Sequence, residues 1–159
     1  MTGLDTSKDK ILEIAVLVTD EQLNLIGDGI EFVIHQSEEV LDSMNDWCKQ
    51  THTKSGLVNK SLESKTSIQD ADEKIEKFLK GMTKAFSCPL AGNSIYSDKK
   101  FIEKFMPRVF AHLHYRIIDV SSIAELGRRW FPEVCAKAPM KKGSHRALDD
   151  ICESIEQLK

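Results

Sequence analysis

Near its carboxyl end the chain reads SHRALDD over residues 144 to 150, setting an imidazole at His145 ahead of two adjacent carboxylates, Asp149 and Asp150. An imidazole titrates close to neutral pH and can take a proton from water. Carboxylates are hard oxygen ligands that suit divalent cations. Together these groups have the chemistry to cleave a phosphodiester with metal assistance. A plainer account is equally open: acids in a first helical turn stabilise the positive end of the helix by some tenths of a kcal/mol. At about 100° per residue, an apolar stripe of Leu148, Ile151, Cys152, Ile155 and Leu158 turns Asp150 nearly away from the core and Asp149 to one side, while the small Ala147 clears the face that Asp150 occupies. Asp98 and Asp119 are further acids that can serve as helix caps or turn residues. Trp47, Tyr115 and Trp130 can stack on bases or simply pack, and Arg116 can hold a phosphate or lie on the surface. His52, His112 and His114 are uninformative one by one. Walker, G-x-G-x-x-G, H-E-x-x-H and G-x-S-x-G patterns do not occur.

Several elements must position these groups. Residues 11–19, ILEIAVLVT, predict a buried strand, and 29–35, GIEFVIH, the second arm of a hairpin. Ser37 precedes a short helix, and NDWCKQTHTKSGL is helical as far as the break at Gly56. The clearest helix spans 67–82, capped by Ser67, with Ile75, Phe78, Leu79 and Met82 on one stripe. A short strand at 88–93 leads to a helix over 98–106 that Pro107 stops. Residues 115–120 form a strand, Ser121 or Ser122 caps the following helix, a loop with two prolines follows, and Ser144 caps the last helix. Early antiparallel strands followed by alternating strands and helices indicate a mixed α/β sheet. At 159 residues a single domain accounts for the chain.

Composition narrows the function classes. Apolar residues make 41% and charged residues 30%, with a formal net charge of −3. A protein gripping long duplex nucleic acid carries a basic face. Here only pairs such as Lys99-Lys100, Arg128-Arg129 and Lys141-Lys142 occur, so any nucleic-acid footprint is expected to be short. No apolar run nears the roughly 18 residues of a membrane span, so no membrane association is expected. No secretory signal pattern opens the chain. Cys48, Cys88, Cys135 and Cys152 form no C-x-x-C pair and read as thiols in a reducing compartment.

Taken in order, MTGLD, CPLAGNSIYSDKKFIEKFMP, HYRIIDVSSIAELGRRW and SHRALDD resemble the oligoribonuclease family, of the DEDDh group of 3′→5′ exonucleases with a ribonuclease-H-like fold. The resemblance runs through essentially the whole chain. It implies a single exonuclease domain over 1–159 that hydrolyses short single-stranded oligoribonucleotides, dinucleotides especially, to nucleoside 5′-monophosphates. It implies two divalent ions, Mg²⁺ or Mn²⁺, with Asp98 and Asp150 among their ligands and His145 as general base. It implies substrate contacts at Leu4, which wedges between bases, at Trp47 and His52 in the same pocket, and at Asn93 and Ser94. Arg116 and Ser121 would grip a 5′ phosphate, and Tyr115 would reach the substrate from the partner of a homodimer. An intracellular location, mitochondrial or cytoplasmic, is also implied.

The family pattern also has two acids in a D-x-E motif directly before MTGL. That motif and the first strand of the sheet are not among these residues, so the chain is expected to be truncated at its N-terminus. A polypeptide of this sequence is expected to be inactive or crippled, because two of four ligands are missing. Lys159 falls inside a helix that the family continues. A non-catalytic module that dimerises or binds short RNA is the alternative.

Overall fold

The structure, a computed structural model, describes residues 1–138 and 146–159. In chain order its elements are β1 (Glu13–Val16), β2 (Ile30–Val33), α1 (Glu38–Asp42), α2 (Asp46–Lys54), α3 (Leu57–Glu63), α4 (Ile68–Met82), β3 (Pro89–Gly92), α5 (Ile95–Phe105), α6 (Pro107–His112), β4 (His114–Asp119), α7 (Val120–Trp130), α8 (Pro132–Cys135) and α9 (Ala147–Leu158). This is the mixed α/β architecture expected of a ribonuclease-H-like exonuclease domain. Among the described residues the strands make two two-stranded sheets, β1–β2 and β3–β4, rather than one continuous sheet. β1 and β2 form the expected antiparallel hairpin. Gly29 makes its turn possible: its φ is +74°, and a Cβ there would collide with the Leu17 side chain and come within 2.9 Å of the Val16 carbonyl oxygen. β3 and β4 are parallel, which requires a long crossover, and α5 and α6 supply it. Helix α9 packs against both β1 and β3 and so ties the two sheets together.

The larger core joins Ile11, Val18 and Ile34 to Ala71, Ile75 and Leu79 of α4, to Phe101 and Ile102 of α5, and to Met106 and Val109. A second, smaller core gathers Leu12, Leu41, Met44, Cys48 and Leu57. Helix α4 is the element whose stripe was clearest; Ser67 caps it as expected, and Asp70 completes a capping box not named from the sequence.

Other boundaries differ from the periodicity. Helix α5 begins at Ile95, with Ser94 in the N-cap position, so Asp98 lies inside the first turn and is not a cap. Helix α7 is capped by Asp119, whose carboxylate accepts from the N–H groups of Ser121 and Ser122, rather than by either serine. A carboxylate at the strand end outcompetes the hydroxyls because it accepts two N–H groups at once. Pro107 ends α5 but also opens α6, where its missing N–H costs nothing. Buried Asp72 of α4 reaches the exposed amides of that start, accepting from Arg108 N at 3.2 Å and Val109 N at 3.0 Å. Ser144 and His145 lie outside the described residues.

Candidate active site

The corner after β3 gathers three of the expected site residues, Asn93, Ser94 and Ser121. Ser94 adopts a left-handed conformation, φ 50°, ψ 35°, which costs a non-glycine residue roughly 1–2 kcal/mol. Such strain persists where the surroundings over-determine it. Here the Ser94 N–H donates to Asp119 Oδ1 at 3.1 Å and to Ser121 Oγ at 3.0 Å. Ser121 in turn donates to Asn93 Oδ1 at 3.0 Å, and Asn93 Nδ2 donates to Ser154 Oγ at 2.6 Å. Asn93 and Ser94 of the β3–α5 turn are therefore brought together with Ser121 at the start of α7. Asp119 and Ser154 were not among the expected site residues. Ser154 stands one helical turn after Asp150, a spacing that could have drawn notice.

The face of α9 that carries Asp150 does not turn away from the core as the apolar stripe predicts. Its buried residue is Ser154, whereas Cys152 is exposed and Asp150 is half-buried. Polar contacts rather than apolar ones set the helix rotation. Ser154 Oγ donates to the Asp150 carbonyl at 2.7 Å and accepts from Asn93. At the helix start, Glu13 of β1 accepts from Arg146 Nε at 3.0 Å and from the Ala147 N–H at 2.9 Å. An acid inside the apolar run ILEIAVLVT was the sequence signal for such a partner, since a buried charge must be paired.

Burial alone would raise the Glu13 pKa, but hydrogen bonds from Arg146 and Ala147 and the guanidinium charge outweigh it and hold the carboxyl below its ordinary value. A lowered carboxyl pKa adds stability above the unfolded value and loses it as pH falls through the folded one. Glu13→Gln is therefore expected to cost about 2 kcal/mol at pH 7. Urea unfolding of the two proteins should converge as the pH drops below the ordinary glutamate range. A gap that stays constant with pH would refute the ion pair's contribution.

Asp98 is half-buried in the first turn of α5. Desolvation raises its pKa, its own backbone N–H and the α-amino group of Met1 pull the other way, and the net shift is upward. This acid therefore lies beside the MTGL segment. A desolvated carboxylate of this kind gains from a cation, so the donor chemistry fits a divalent ion. Among the described residues, however, no three His, Cys, Asp or Glu side chains form a metal-holding group. Asp98 and Asp150 offer the right kind of ligand but an incomplete set.

The remaining expected contacts divide by exposure. Leu4, Trp47 and Tyr115 are exposed at 73%, 62% and 69%, the condition needed to meet a base. Arg116 is also exposed and stacks its guanidinium 5.2 Å from the Tyr115 ring centre. His52 is buried, with Nε2 donating to the Met1 carbonyl oxygen at 3.0 Å, so it steadies the segment leading to Leu4. Ile123, Leu126, Trp130 and Val134 are exposed at near-helical spacing along α7 and α8. No helix among the described residues is long and apolar enough to cross a membrane.

Residues 1–158 match the family described as RNase_T: Exonuclease. The chain is 53% identical over 158 residues to the mitochondrial oligoribonuclease of Homo sapiens, covering 99% of this chain and 67% of that protein. It is 52% identical over 159 residues to a probable oligoribonuclease of Dictyostelium discoideum, covering 100% of this chain and 83% of that one. An oligoribonuclease of Leifsonia xyli is 48% identical over 159 residues, covering 99% and 76%.

Proposed function

This chain belongs to the RNase T exonuclease family, and from that premise we propose that it forms the catalytic domain, residues 1–159, of a 3′→5′ exoribonuclease that releases nucleoside 5′-monophosphates from short single-stranded oligoribonucleotides. The observation that carries this reading is the family match over residues 1–158, with Asp98 half-buried in the first turn of α5 at the position of the family's middle acid. Asp98 and Asp150 would hold divalent ions, Mg²⁺ or Mn²⁺. When bound, such ions polarise the scissile phosphate and offset charge on the leaving oxygen. His145 takes the proton of the attacking water, a role its residue type supports. Leu4 and Trp47 hold the bases through exposed apolar surface, and buried His52 acts by fixing the backbone ahead of Leu4. Arg116 and Ser121 grip the 5′ phosphate, and Asn93 and Ser94 contact the substrate.

A closed grip on a short substrate needs little basic surface, which agrees with the net charge of −3. The exposed apolar residues of α7 and α8 support a homodimer interface through which Tyr115 meets the partner's substrate. The curated relatives named as mitochondrial support a mitochondrial setting, with the cytoplasm as the alternative.

The test is hydrolysis of a 3′-labelled diribonucleotide with Mn²⁺, read by separation of the 5′-monophosphates, with a D-x-E-bearing strand supplied ahead of Met1. Absence of product would overturn the reading. Arg116→Ala is expected to weaken binding of a 5′-phosphorylated dinucleotide about tenfold, the scale of a charge-assisted hydrogen bond. Calorimetric titration checks this.

A second reading, a dimerising or RNA-binding module without turnover, is favoured by the incomplete ligand set among the described residues. Turnover by a polypeptide of residues 1–159 alone would exclude it.

A further inference from the structure

The geometry points to Asn93 and Ser154 as positioning residues that couple the 5′-phosphate grip to the helix carrying Asp150. The inference rests on the substrate reading above. A serine hydroxyl has one hydrogen to give. Ser121 gives its hydrogen to Asn93 Oδ1 at 3.0 Å while accepting from Ser94 N. Ser154 gives its hydrogen to the Asp150 carbonyl at 2.7 Å while accepting from Asn93 Nδ2 at 2.6 Å. The donors thus run in one direction, from the Ser94 amide through Ser121, Asn93 and Ser154 to the backbone of Asp150.

To donate to a phosphate, Ser121 must release Asn93. Asn93 Oδ1 then loses its donor, and the carboxamide can reorient only by pulling on Ser154. Ser154 is buried, and its remaining bond ends in the same turn as Asp150. Phosphate arrival at one end is therefore felt at the other. Such coupling is reciprocal, so the preference for a 5′ phosphate depends on the Ser154 hydroxyl, which no substrate atom needs to touch. A residue this far from the phosphate would otherwise affect all dinucleotides alike.

The experiment is calorimetric titration of the 159-residue chain in EDTA with one diribonucleotide in 5′-phosphorylated and 5′-hydroxyl forms. Ser154→Ala frees the Asn93 carboxamide to reorient and is expected to raise the ratio of the two affinities, phosphorylated over hydroxyl, about fivefold, the scale of one net hydrogen bond. Ser154→Thr, which keeps the hydroxyl, should retain the ratio. Ser154→Cys, close to serine in size but a weak acceptor, should reproduce the alanine result if the alanine variant folds poorly. A clear wild-type preference left unchanged by Ser154→Ala and Ser154→Cys overturns the coupling and leaves the substrate reading intact. A wild-type chain that binds both forms equally overturns the phosphate grip itself, and the coupling with it.

Discussion

Asparagine in place of Asp98 is expected to lower dinucleotide hydrolysis by about 10³-fold or more and at the same time to raise the melting temperature. The two effects share one cause. Desolvation raises the Asp98 pKa, so at neutral pH the folded chain holds a carboxylate in surroundings that penalise its charge. A divalent ion would offset that penalty, and asparagine removes it at the cost of the ligand. The sign follows from linkage: a carboxyl pKa higher in the fold than in the unfolded chain makes the charged form a burden above the unfolded value, and the burden lifts as pH falls through the folded one. Thermal unfolding without divalent ions should show Asp98→Asn more stable at pH 7 and the difference shrinking toward pH 4. A variant both less active and less stable at pH 7 would identify Asp98 as a structural residue. The activity arm is read in the D-x-E-bearing polypeptide described next.

Joining a strand that ends in D-x-E ahead of Met1 is expected to raise turnover of a labelled diribonucleotide by at least about 10³-fold relative to a polypeptide of residues 1–159. Two features support this. Met1 packs against the larger core, so residues attached ahead of it continue from within the fold. β1 and β3 both lie against α9 without pairing to one another among the described residues, so each two-stranded sheet keeps edge strands open to an added strand. The same addition should raise the Mn²⁺-dependent increase in melting temperature, because binding to the folded state alone stabilises it. Equal turnover with and without the added strand would refute the role given to those acids.

Legibility differed sharply among elements. Helix α4 was readable to within a residue because its apolar stripe and Ser67 agree. β1, β2 and β3 were placed correctly but are shorter than the runs suggested, Glu13–Val16 within residues 11–19 for example, while β4, His114–Asp119, keeps its expected length one residue earlier. An apolar run records burial, and ladder bonds form only where a partner strand continues. The start of α5 was missed because its N-cap is a serine in the left-handed region, held by bonds that its N–H donates to Asp119 and Ser121, more than twenty residues away. The rotation of α9 was misread for the same kind of reason: a helical wheel weighs apolar residues, while Glu13 and Asn93 orient this helix through polar contacts.

Sequence alone determined the mixed α/β class, the four strands and the helices α1, α2, α4, α5, α7 and α9 but not α3, α6 or α8, and, through the motif resemblance, it named Asp98, Asn93, Ser94, Arg116, Ser121 and Asp150 as candidates. The class and the elements follow from local periodicity and composition, and the candidate residues from the resemblance. Tertiary structure decided that Asn93, Ser94 and Ser121 share one corner, that His52 is buried against the Met1 backbone, that Glu13 docks α9, and that Ser154 links the corner to Asp150. Those facts depend on residues distant in the chain satisfying one another's hydrogen bonds in a partly buried space, and no local pattern encodes which distant partner will be there.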